Sequence, residues 1–66
     1  MFPEDYLTYH YREGYASAEG DHEDEADPAA MLLLAEALHG KGADDPAYEA
    51  YYRGRIDYCL GVLRAR

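Results

Sequence analysis

Asp27-Pro28-Ala29-Ala30-Met31-Leu32-Leu33-Leu34-Ala35-Glu36-Ala37-Leu38-His39-Gly40 is the stretch on which the fold turns. Asp27 can accept from the free N–H groups of a first helical turn. Pro28 sets the backbone angle there without losing a needed donor, and Gly40 is a stop signal. Between them Met31, Leu34, Ala35 and Leu38 recur at helical spacing, with Leu32 and Leu33 widening the stripe. Only Glu36 and His39 are polar, so a helix over 28–39 is apolar nearly all round and is expected to be the buried one.

Downstream, Asp45-Pro46 repeats the start signal and predicts a long helix over 46–65. Tyr48, Tyr52, Ile56, Cys59, Leu60 and Leu63 share one broad face of it, with Glu49, Arg53, Asp57 and Arg64 off that face. Gly54 and Gly61 lower helix propensity, and the expected reason is another backbone passing close to each. Upstream, Leu7, Tyr11, Tyr15 and Ala18 step by four, four and three, which predicts a helix over 3–19, started by Pro3 and stopped by Gly20. A strand or hairpin over Tyr6 to Tyr11 competes with it, because Tyr and Thr favour sheets. Gly14 costs that helix about 1 kcal/mol relative to alanine. The fold expected is an all-α, single-domain three-helix bundle with an acidic loop over 20–27, or α+β if the first element is a strand.

With 66 residues, a chain buries only about 60% of the surface that its unfolded form exposes. A partner or a second copy would help, and a homodimer is one expectation. The single cysteine, Cys59, cannot form a bridge within the chain, and it reads as a small core residue in a reducing cytoplasm. The acidic start lacks the pattern of a signal peptide. The longest apolar run, 29–35, is far short of the about 20 residues that span a bilayer, so no membrane partner is expected.

Charge is distributed unevenly. Of a net charge of -8, residues 1–27 hold nine carboxylates against Arg12 alone, 28–46 hold three against Lys41, and 47–66 hold four arginines against two. Direct binding to nucleic acid needs the opposite balance. The densest run is Glu19, Asp21, Glu23, Asp24, Glu25 and Asp27. Read as calcium ligands from Asp21, it lacks the glycine required at position six and the glutamate at position twelve, where Ala26 and Leu32 stand. No metal site and no cofactor are expected. The chain has no catalytic motif, so it does not read as an enzyme. Spaced along a helix face and its following loop, these carboxylates can instead stand in for nucleic-acid phosphates on a basic protein surface; the alternative is a helical structural or assembly protein, or a homodimeric adaptor, whose charge only solubilises. Glu4, Asp5 and Glu13 add to the field. Among eight tyrosines, Tyr11, Tyr15, Tyr48 and Tyr52 read as core, whereas Tyr6 and Tyr9 are candidates for the same contact surface, since tyrosine gives large contact area at low entropic cost.

In general character, as a very small, acidic, tyrosine-rich chain without catalytic motifs, the protein resembles the phage-encoded anti-CRISPR proteins of DNA-mimic type. The resemblance implies binding to a Cas subunit of a CRISPR complex in the cytoplasm of a bacterial host, and inhibition of target recognition. Locally, Gly14-Tyr15, Gly20, Asp45-Pro46, Tyr48 and Tyr52-Arg53-Gly54 are similar to pieces of ribosome modulation factor-like proteins, a small helical family with a basic ribosome-binding surface.

Overall fold

The computed structural model describes the backbone of residues 3–42 and 44–66, and their side chains from Tyr6 onward. Three helices follow one another: α1 (Pro3–Glu23), α2 (Pro28–Lys41) and α3 (Pro46–Arg64). The first element is therefore helix, and the bundle is all-α. Helices α1 and α3 run in the same direction, with Leu7 and Thr8 beside Glu49 and Ala50 at one end and His22 beside Tyr58 at the other. The intervening α2 runs back along α3, from Met31 in the Cys59 core to His39 beside Glu49. Both α1 and α2 pack chiefly on α3.

The starts of α2 and α3 are those that the sequence signals. Asp27 accepts from the Ala30 N–H at 3.2 Å, and Asp45 from those of Ala47 and Tyr48 at 3.0 and 3.4 Å. The ends differ from expectation. Gly20 does not stop α1, which continues to Glu23. Its terminus is a Schellman turn: Glu25 takes a positive φ of 75°, its N–H donates to the His22 carbonyl at 2.9 Å, and the Ala26 N–H donates to that of Asp21 at 3.0 Å. These are the two bonds by which a left-handed residue closes a helix, here without glycine. The acidic loop shrinks accordingly to residues 24–27. Gly40 likewise lies inside α2, and Gly42 caps it by donating to the Leu38 carbonyl.

The buried core is small: Ala18, Met31, Ala35, Ala50 and Cys59. Its centre is Ala18, Met31 and Cys59, with Ala26, Leu32 and Tyr58 packed around it. Two glycines permit this. A Cβ on Gly14 would collide with the backbone of Tyr51, and one on Gly54 with the backbone of Tyr11 and Tyr15. The α1–α3 crossing is thus backbone against backbone, as expected for Gly54, and the helix propensity lost at Gly14 is offset by close packing. Gly61 departs from expectation, because nothing approaches it within 4 Å.

Helix α2 is not the enclosed helix that its composition suggests. Pro28, Met31 and Ala35 are buried, but Leu33 is 70% exposed and Leu34 61%. Two neighbours cannot cover the full circumference of a helix. No helix among the described residues is long and apolar enough to cross a membrane.

Candidate functional site

The acidic run occupies the end of α1, the Schellman turn and the cap of α2, and this backbone sorts its six carboxylates into two groups. Asp21 and Asp27 are engaged. Asp21 receives the Arg55 guanidinium at 2.8 Å, while the other Arg55 nitrogen donates to the Ser17 hydroxyl at 2.8 Å. Burial acts to lower the Arg55 pKa, but the Asp21 hydrogen bond, with the charges of Tyr51 and Asp21, raises it above its ordinary value. Asp27 is the cap described above.

Glu19, Glu23, Asp24 and Glu25 are exposed, and their carboxylates make no hydrogen bond or ion pair with the described residues. Glu19 and Glu23 stand one turn apart, about 6 Å along the axis. Behind them His22 turns inward, its Nδ1 2.8 Å from the Tyr58 hydroxyl. The Tyr58 phenol is held above its usual pKa by desolvation and then by the charges of Glu19 and Glu23. His22, the one basic group of the run, is thereby drawn into the structure.

The remaining candidates are spread along α1. Glu13 is exposed in mid-helix. Tyr6 and Tyr9 are 57% and 59% exposed and flank His10 edge-on, with ring centroids 4.5 and 5.2 Å away. From Tyr9 to Glu19 the helix rises about 15 Å, so tyrosines and acidic run form the two ends of a strip rather than one compact patch. The side chains of Glu4 and Asp5 lie outside the described residues.

The tyrosines expected in the core are only partly there. Tyr11 is half-buried and donates to Asp57 at 2.6 Å, which raises its pKa to about 12. Tyr48 and Tyr52 are half-buried, whereas Tyr15 is exposed, its ring edge-on to Tyr58. Sequence periodicity does not reveal the polar pairs between helices: Tyr11–Asp57, His22–Tyr58, Asp21–Arg55 and Tyr51–Ser17 join residues 34 to 46 positions apart. Cys59 is fully buried as expected, and desolvation raises its thiol pKa, which disfavours the reactive thiolate. Asp21, Ser17 and Arg55 also border a cleft of about 310 Å³ among the three helices, lined from α2 by Met31, Leu34 and Leu38 and from α3 by Tyr51 and Tyr52 as well.

Fold and surface together define a small all-α protein that presents an acidic, ordered helix end. No family model matches the chain, and no curated protein or solved structure is significantly similar to it.

Proposed function

We propose that this protein is an inhibitor that occupies a basic nucleic-acid-binding surface, with Glu19, Glu23, Asp24 and Glu25 in place of phosphates. The observation that carries this reading is where these carboxylates stand. Negative charge at a helix C-terminus opposes the helix dipole, typically by 0.3–1 kcal/mol per group, and Glu23 and Asp24 stand at the C-terminal end of α1, with Glu25 between it and the start of α2. Charge needed only for solubility has no reason to gather there. The Schellman turn and the Asp27 cap hold the backbone between two helices, so a partner does not have to order a floppy loop. Exposed Tyr9 and Glu13 extend the contact along α1.

The partner chemistry is an arginine- and lysine-lined groove that otherwise holds a nucleic-acid strand. The resemblance to small acidic anti-CRISPR proteins makes a Cas subunit of a bacterial CRISPR complex the first partner to test, in the cytoplasm of a phage-infected host. The residues similar to ribosome modulation factor-like proteins are accounted for differently. Gly14 and Gly54 form the helix crossing and Asp45 is a cap.

The test is displacement of labelled target DNA from such a complex by the wild-type protein and by E19Q/E23Q/D24N/E25Q. The reading predicts that the wild type displaces DNA, that the variant keeps its helical circular dichroism and fails, and that displacement weakens from about 50 to about 200 mM salt. Equal displacement by the folded variant would sink it.

A further inference from the structure

We propose that the outer face of α2 is a homodimerisation surface, on which two copies pack antiparallel about a two-fold axis lying between Leu33 and Leu34. The face is formed by Ala30, Leu33, Leu34 and Ala37, all exposed; Leu33 and Leu34 are the large aliphatic side chains left exposed among the described residues, and Leu34 stands at the edge of the face, where it also borders the Arg55 cleft.

The choice of a second copy as the occupant rests on register and charge. An isologous contact requires that the same patch complement itself when turned through 180°. Reversed about the midpoint of 33 and 34, this face superposes on itself: Leu33 falls opposite Leu34 of the second copy, and Ala30 opposite Ala37. Alanines above and below the leucine layer let the two helix backbones approach while the four leucines fill the centre. The same reversal brings Lys41 of one copy beside the capping turn of the other, where Asp27 and Glu25 stand, and it does so twice. The Lys41 ammonium makes no hydrogen bond or ion pair within the described part of its own chain. Residues 28–41 carry only Glu36 and Lys41 as formal charges, so α2 is neutral in a chain of net charge -8. A basic partner has nothing to hold there, whereas a second copy meets its own apolar face. Helix α2 is about 21 Å long, which puts the contact at the small, reversible end of interface sizes.

Salt separates this surface from the acidic one. Two copies of net charge -8 repel, and screening relieves that repulsion by more than it weakens the two Lys41 contacts, so dimerisation strengthens with salt while binding to a basic groove weakens. Sedimentation velocity over a concentration series, at low and high salt, should show a monomer–dimer equilibrium shifted toward dimer at high salt. L33E/L34E should be monomeric throughout with unchanged helical circular dichroism, and K41E should dissociate more readily than wild type. Oxidation of a mixture of A30C and A37C copies should crosslink the two to each other in preference to like with like. A monomer at every concentration and salt, a dimer unaffected by L33E/L34E, or crosslinking of like with like would overturn the proposal.

Discussion

Glu25 holds a backbone conformation that costs an ordinary residue roughly 1–2 kcal/mol and glycine almost nothing. E25G should therefore raise the unfolding free energy by about 1 kcal/mol, read as a higher urea midpoint. A glutamate at this position fits a surface that needs its charge more than the chain needs the stability. Tyr11 titrates with the opposite sign to a paired carboxylate. Its phenol is raised from 10.0 to about 12 chiefly because it donates to Asp57, so the contribution is complete below about pH 10 and disappears as pH rises through about 12. Chemical denaturation across that interval should show stability falling in the wild type, and falling less in Y11F.

Among the elements, the α1–α3 crossing is the most sensitive to substitution. Gly→Ala in a helix interior ordinarily stabilises by up to about 1 kcal/mol. That should hold at Gly20 and Gly61, where a Cβ meets nothing. At Gly14 and Gly54 the methyl group meets the facing backbone, which cannot rotate away, so G14A and G54A should each destabilise by several kcal/mol. Thermal melts of the four variants read the difference, and a neutral G14A would refute the close crossing. The four glycines look alike in the sequence, because propensity registers what a glycine costs its own helix and says nothing of what passes beside it. Helix starts are legible for the opposite reason: Asp27-Pro28 and Asp45-Pro46 act within three residues of themselves. The end of α1 is not legible in the sequence: Gly20 is the stop expected there, while the helix closes at Glu25, next to Ala26, which packs against the Met31 and Cys59 core.

At the scale of the molecule, charge and apolar surface occupy different faces. The end of α1 presents Glu19, Glu23, Asp24 and Glu25 without ion-pair partners among the described residues, and the outer face of α2 is neutral and apolar. E19Q/E23Q/D24N/E25Q should be more stable than wild type at low salt, because it removes like-charge repulsion and an unfavourable dipole contact. The advantage should shrink at high salt in parallel urea titrations. A variant that gains stability while losing the interaction would show the acidic end to be maintained against its folding cost.

The amino-acid order alone determined the starts of α2 and α3, the fate of Cys59 and the acidic front, since each depends on near neighbours or on composition, whereas it left the first element open between helix and strand until the packing of α1 on α3 decided for helix. The tertiary structure decided which carboxylates are free, which glycines lie at a crossing and which side of α2 is left uncovered. Those outcomes depend on which residues of α3 come to face α1 and α2. Asp21 and Glu23 are equivalent acids in the chain, but only Asp21 lies on the side of α1 that Arg55 can reach.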